Sequence, residues 1–362
     1  MSGRLCGTLF AALSLLIATA GLSLAKSNQP SSEQHLGRLL YFDKDLSNPL
    51  GQACASCHLP VAGYADPDQE LPVSEGAVTG RFGGRNAPSA AYAAFSPVFG
   101  LDSASGQYRG GQFWDGRAPT LEEQAKGPFL NPVEMNNTKE GVVQAVRNSR
   151  YAELFKRVYG PESLDVTESA YNLIAQAIAS FERTAQVNRF TSKFDYYLKG
   201  KVALTAQENR GLQLFNGKGN CSACHPSSSL DGKTPPLFTD FTYDNLGVPR
   251  NMAYPFYLID PSPYPDLGLG AIITDPAQKG KFKVMTLRNI ALTAPYSHNG
   301  YFKTLKEIVH FYNTRNLPGL WPQPDVVENV NTTELGDLGL TDQEEDDIVA
   351  FLLTLTDGFA CR

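Results

Sequence analysis

Cys54-Ala55-Ser56-Cys57-His58 and Cys221-Ser222-Ala223-Cys224-His225 are the two stretches on which the reading of this chain turns. A Cys-x-x-Cys pair alone is ambiguous, since it serves zinc sites, dithiol redox chemistry and haem attachment. The histidine that follows each pair decides between them. Two thiols three positions apart can form thioethers with the two vinyl groups of one porphyrin, and the next imidazole then falls under the iron. The pentapeptide occurs twice in 362 residues, which chance does not supply. The sequence therefore predicts two covalently bound haem c groups. Cys54 and Cys57 hold the first and Cys221 and Cys224 the second, with His58 and His225 as proximal iron ligands.

Working outward, each motif is preceded by a similar segment. Gly37-Arg38-Leu39-Leu40-Tyr41-Phe42 leads into the first, and Gly211-Leu212-Gln213-Leu214-Phe215 into the second. This faint internal echo suggests a helix entering a haem-attachment loop, the layout of small cytochrome c domains. Between the motifs, Ala170, Leu173, Ile174, Ala177, Ile178 and Phe181 follow the spacing of an amphipathic helix, opened by Asp165 or Thr167. Three further helix starts carry a capping box, in which a Thr side chain and a Glu three residues on satisfy free backbone N–H groups. They are Thr205 with Glu208, Thr304 with Glu307 and Thr341 with Glu344. Strand signals are sparse. The expected fold is mainly α, two cytochrome c-like haem domains with long irregular loops. The boundary is expected within residues 186–203, giving domains of 26–190 and 191–362.

Residues 1–25 stand apart. Arg4 supplies a positive start, Leu5 to Leu24 carries no charge, and Ser23-Leu24-Ala25 offers small residues for cleavage before Lys26. That is the pattern of a secretory signal, placing the remainder in the periplasm. An uncleaved membrane anchor is the alternative, because about 20 apolar residues also span a bilayer. Cys6 leaves with a cleaved signal, and Cys361 is left over without a role. The formal net charge of -6, with no long basic run, excludes nucleic acid as a partner.

Longer motifs carry a resemblance: LGRLLYFDKDLS (36–47), GGRNAPS (83–89), QFWDGRAPTLEEQAKGPFLNPVEM (112–135) and TLRNIALTAPYSHNGYFKTLKEIVHFYN (286–313). Over residues 34–356 the chain resembles the bacterial di-haem cytochrome c peroxidases and their relative MauG. The resemblance implies an N-terminal peroxidatic haem domain and a C-terminal electron-transfer haem domain. It also implies that Gln112 and Glu122 line the open face of the first haem. There a carboxylate can move a proton between the two oxygens of hydrogen peroxide while an amide orients it. A surface Gln and a first-turn Glu on a helix capped by Thr120 is the bland alternative for that pair.

The peroxidases often place a blocking His where this chain has Ala77, so the first haem is expected to be open. The sixth ligand of the second haem maps onto Tyr312, as in MauG, with His310 and Met285 as rivals. A Ca²⁺ ion between the haems maps onto Asn86 and the carbonyls of Thr293 and Pro295. Two departures stand out. The family's inter-haem Trp is replaced in the neighbourhood of Ala91 and Tyr92. MauG's Trp two residues before its second haem motif corresponds to Gly219.

The implied function is that of a periplasmic di-haem oxidoreductase acting on hydrogen peroxide. Its electrons come either from a small cytochrome c or cupredoxin, or from side chains of a partner protein. A non-enzymatic di-haem electron carrier is the alternative, and a haem dehydrogenase of a small molecule has no sequence feature to recommend it.

Overall fold

A computed structural model describes residues 31–255 and 265–360. The expected signal segment 1–25, Cys6 and Cys361 lie outside the described residues. The architecture is mainly helical, as expected. The first half contains α1 (Ser32–Tyr41), the short α2 (Cys54–Cys57), α3 (Leu121–Leu130), α4 (Lys139–Asn148), α5 (Ala152–Tyr159) and α6 (Thr167–Glu182). The second contains α7 (Lys193–Leu198), α8 (Ala206–Asn216), α9 (Leu269–Ile273), α10 (Leu305–Thr314) and α11 (Asp342–Leu353). Strands are limited, among the described residues, to two antiparallel pairs: β1 (Gly100–Asp102) with β2 (Gln107–Arg109), and β3 (Tyr243–Asp244) with β4 (Phe282–Lys283). No described helix is long and apolar enough to cross a membrane.

All three capping boxes form as read: Thr205, Thr304 and Thr341 each accept from the backbone of the Glu three residues on, which reaches back in turn. Thr120 caps α3 through the Glu123 N–H. The start of α6 differs from expectation. Val166 occupies the cap position without a side-chain bond, and Asp165 closes the preceding turn onto Glu162. Asp165 stands one residue too early to cap, and Thr167 is already helical. Burial of the stripe Ala170, Ile174, Ala177, Ile178 and Phe181 holds the helix instead.

The internal echo has a physical basis. In the first half α1 packs on α6, and a Cβ on Gly37 would lie 1.8 Å from the carbonyl oxygen of Ala177 and 3.0 Å from Phe181 Cβ. In the second half α8 packs on α11, and a Cβ on Gly211 would lie 1.9 Å from the carbonyl oxygen of Asp347 and 2.8 Å from Phe351 Cβ. The two glycines thus meet the same pair of positions, a carbonyl and the residue four further on. Each crossing brings the helix before a haem motif against the longest helix of its half.

Two apolar cores surround these crossings. One is built from Leu36, Leu40, Tyr41, Phe129, Val143, Phe155, Ile174, Phe181 and their neighbours up to Val187, and also takes in Leu237 and Phe241. The other begins at Phe194 and gathers Phe215, Phe238, Phe302, Phe311, Phe351 and Leu355. At the seam lies Arg288, fully buried, with Nη1 and Nη2 on Asp195 at 3.0 and 2.9 Å. Its guanidinium faces the rings of Tyr92 and Phe190 at 5.0 and 4.4 Å.

Substituting Gly37→Ala or Gly211→Ala forces the crossing helices apart. We expect each to cost on the order of 1–3 kcal/mol through overpacking, read as a lower denaturant midpoint of the haem-loaded protein. An unchanged midpoint would show that the crossings are looser than described.

Candidate haem sites

α2 is the first haem motif itself, a single turn that ends where the His58 N–H bonds back to Cys54 O. The Tyr41 hydroxyl donates to His58 O at 2.9 Å, which ties this turn to α1. His58 Nδ1 lies 3.3 Å from Tyr64 O. Used as the donor, Nδ1 leaves Nε2 as the nitrogen with a free lone pair, the arrangement an iron ligand needs. Burial lowers the basicity of the ring and favours its neutral form. The thiols are neutral as well, since burial pushes Cys57 up to about 11 and Cys54 higher still.

In front of these groups lies a cavity of about 580 Å³, walled by Cys54, Cys57, His58 and an otherwise largely apolar surface. A neutral thiol pair, an oriented imidazole and a cavity of this kind fit a covalently attached porphyrin. Arg85 and Arg117 also reach the wall, both paired with Asp115, at 2.6 and 3.0 Å. They are the cationic groups available to the cofactor's propionates.

Gln112 lines this cavity and is buried; its Nε2 donates to Ala93 O at 3.1 Å, leaving the amide oxygen free to accept. Glu122 takes a different place. It sits in the first turn of α3, off the cavity wall, and its carboxylate meets Arg183 Nη1 at 2.7 Å. That pairing outweighs partial burial and keeps its pKa low. The carboxyl groups that do line the cavity are Glu75, Glu134, Glu182, Asp115 and Asp266. Glu182 went unnoticed in the sequence because it follows the apolar stripe of α6 by one residue and passes for the helix's exposed end. Ala77 lies outside the wall; its N–H donates to Glu134 O.

The second site repeats the design. His225 N–H bonds to Cys221 O, and His225 Nδ1 lies 2.7 Å from Phe238 O. Burial again lowers the imidazole and pushes both thiols up to about 12. Tyr312, on α10, faces this site: burial raises its phenol, and Cys221 and Cys224 add to the effect. His310 points elsewhere, with Nδ1 2.9 Å from Glu345 on α11. Two residues of helix separate them by more than half a turn, so they present to different surroundings.

Asn86 is buried and donates its Nδ2 to Pro72 O at 3.1 Å, which leaves Oδ1 to accept. Its N–H donates to His298 O, bringing it to the loop that carries Thr293 and Pro295. The Trp114 indole donates to Asn86 O at 2.9 Å. Tyr92 is buried beside Arg288, and its hydroxyl donates to Asp357 at 2.7 Å. At Gly219 a Cβ would lie 2.9 Å from Leu214 O and 3.0 Å from Ile348 Cδ1. A tryptophan there would need the α8–α11 end to move.

Comparison with known proteins fits this geometry. The family model described as di-haem cytochrome c peroxidase matches residues 31–203. The methylamine utilization protein MauG of Paracoccus denitrificans is 38% identical over 366 residues, covering 96% of this chain and 94% of that protein. The cytochrome c551 peroxidase of Pseudomonas aeruginosa is 35% identical over 311 residues, covering 83% and 78%. Among solved structures, the diheme peroxidase BthA from Burkholderia thailandensis superposes with a TM-score of 0.83 at 34% identity, covering 91% of this chain and 87% of that one. Two cytochrome c-like sites in one helical chain define a di-haem oxidoreductase. The chain belongs to the di-haem cytochrome c peroxidase and MauG family, and two haem c groups are its cofactors.

With His310 tied to Glu345, His310→Ala is expected to leave the low-spin absorption and EPR signals of the second haem unchanged, whereas Tyr312→Phe should alter them. The reverse result would hand the ligand role to His310.

Proposed function

We propose that this chain is a periplasmic peroxidase whose first haem, at His58, activates hydrogen peroxide, while the second, at His225, stores or relays electrons. The observation that carries this reading is the cavity at His58, into which Gln112 faces and no second histidine reaches. When bound there, haem supplies an iron that can hold peroxide and take up electrons. The protein's part is to orient and to move protons. The Gln112 amide orients the peroxide. Glu122 takes the proton of the inner oxygen and returns it to the leaving oxygen, which requires its carboxylate to leave Arg183.

At the second site Tyr312 would be the sixth ligand. Phenolate is a hard anionic donor that favours the higher iron oxidation states and lowers the potential, where a thioether raises it. The Asn86 side chain with the carbonyls of Thr293 and Pro295 would hold Ca²⁺ between the haems. Export rests on the charge pattern of residues 1–25.

Two electron sources are open to such an enzyme. A small cytochrome c or cupredoxin would fit the acidic chain, and one relative is named cytochrome c551 peroxidase. Tyr312 favours the other source, side chains of a partner protein, while the crowding at Gly219 argues against an exit through a tryptophan there. The rival reading, a di-haem electron carrier, needs a strong sixth ligand on the first iron. Met135 and Tyr41 also line that cavity, but the Tyr41 hydroxyl is committed to His58 O.

The diferric protein should show one high-spin and one low-spin haem by EPR, and both signals should fall when stoichiometric peroxide is added without reductant. Glu122→Gln should slow that reaction by about 10²–10⁴-fold. Two low-spin haems indifferent to peroxide would establish the carrier instead. Steady-state oxidation of a reduced cytochrome c separates the two electron sources.

A further inference from the structure

We propose that Glu182, at the C-terminal end of α6, is the proton store of the first haem site. The inference rests on the peroxidase reading and adds to it a residue and a route for protons.

Geometry carries the argument. Glu182 is 5% exposed, it is one of the residues lining the first haem cavity, and its buried Oε2 has no hydrogen-bond partner. Around it stand Tyr41 on α1, Cys54 of the haem motif, Glu122 on α3 and Arg183, its own neighbour, with Glu134 elsewhere in the same wall. Glu122 and Arg183 pair with each other and are 34% and 45% exposed. The route assigned to protons is from solvent, through that pair, to the enclosed carboxyl.

The internal repeat shows that the acid is not demanded by the fold. Gly37 meets Ala177 and Phe181 as Gly211 meets Asp347 and Phe351. By that register Glu182 corresponds to Leu352, and Tyr41 to Phe215. All four are buried. Hence the half read as the closed electron store fills these positions with Leu and Phe, and the half read as the open site fills them with a carboxyl and a phenol. An unpartnered buried carboxyl costs stability, so a fold that accepts Leu at one copy gains nothing structural from Glu at the other.

Burial, with the charge of Glu122 adding and Arg183 opposing, pushes Glu182 up to about 8. It therefore holds its proton at neutral pH, while Glu122, kept low by Arg183, is ionised. Reduction of one hydrogen peroxide to two waters consumes two electrons and two protons. The electrons come from the donor protein or side chain. One proton comes from the Glu182 carboxyl, which is left as carboxylate; the second comes from solvent by way of Glu122, and the same route then reprotonates Glu182. The sign follows: the store is full below about 8 and empties as pH rises through that value.

The test uses the haem-loaded protein and its Glu182→Gln and Glu182→Leu variants. In the infrared, the wild type should show the carbonyl stretch of a protonated carboxylic acid that disappears as pH rises through about 8. Both variants should lack it. The rate of peroxide consumption in the wild type should fall over the same pH range. In the variants it should be slower at neutral pH, on the order of 10²-fold, the low end for a positioned proton donor, and should lose that limb. Glu182→Leu should also melt at a higher temperature, which separates lost chemistry from lost folding. Persistence of the band in Glu182→Gln, or a peroxide rate and pH profile like the wild type's, would overturn the inference. Absence of any peroxide reaction in the wild type would instead overturn the reading it rests on, with the infrared band still reporting whether Glu182 holds a proton.

Discussion

Two contacts between a glycine and a carbonyl oxygen govern this structure. Gly37 against Ala177 and Gly211 against Asp347 let α1 meet α6, and α8 meet α11, at a separation no side chain allows. Each haem motif follows its glycine-bearing helix, the first after the loop from Phe42 to Ala53 and the second after the four residues from Gly217 to Asn220. The closeness of the crossing therefore fixes where the thiols and the imidazole emerge. The hydrogen bonds that follow, Tyr41 to His58 O and the two Nδ1 contacts with Tyr64 O and Phe238 O, only refine a position the crossings have set.

Upon that shared frame the halves diverge by a few substitutions of charge. The first half opens a cavity whose wall includes carboxyl, guanidinium and amide groups. The second presents a phenol to its site and packs Phe215, Phe238 and Phe351 behind it. The difference does not lie in the attachment motif or in the proximal histidine, which are alike. It lies in what the neighbouring helices turn inward, and there a single residue at one register position can change the chemistry without disturbing the crossing.

Features fixed by local chemistry were legible in the sequence. The Cys-x-x-Cys-His motifs, the three capping boxes and the Thr120 cap depend on residues within five positions of one another, and the caps form in the structure. The start of α6 was misread because a cap must immediately precede the first helical residue, and Asp165 stands one too early. Glu122 and Glu182 show the larger limit. One is drawn to Arg183 and the other is enclosed by α1, α3 and the haem motif. Both outcomes depend on where α6 lies relative to α3, a long-range contact that no local pattern encodes. The glycines were visible as an echo, but only the packing shows why the echo is there.

Asp357 accepts from Tyr92 in the first half and from Thr191 and Asn289 nearer the second. Its neighbour Phe359 adds a backbone bond to Thr191. During synthesis residue 357 leaves the ribosome long after 92 and 191. The bonds that Asp357 makes therefore wait for the last helix and its tail, whereas other ties across the seam, such as Arg85 to Asp266 and the Asn86 N–H to His298 O, do not. The C-terminal tail is thus a late clasp, added to a seam that residues far from it already hold.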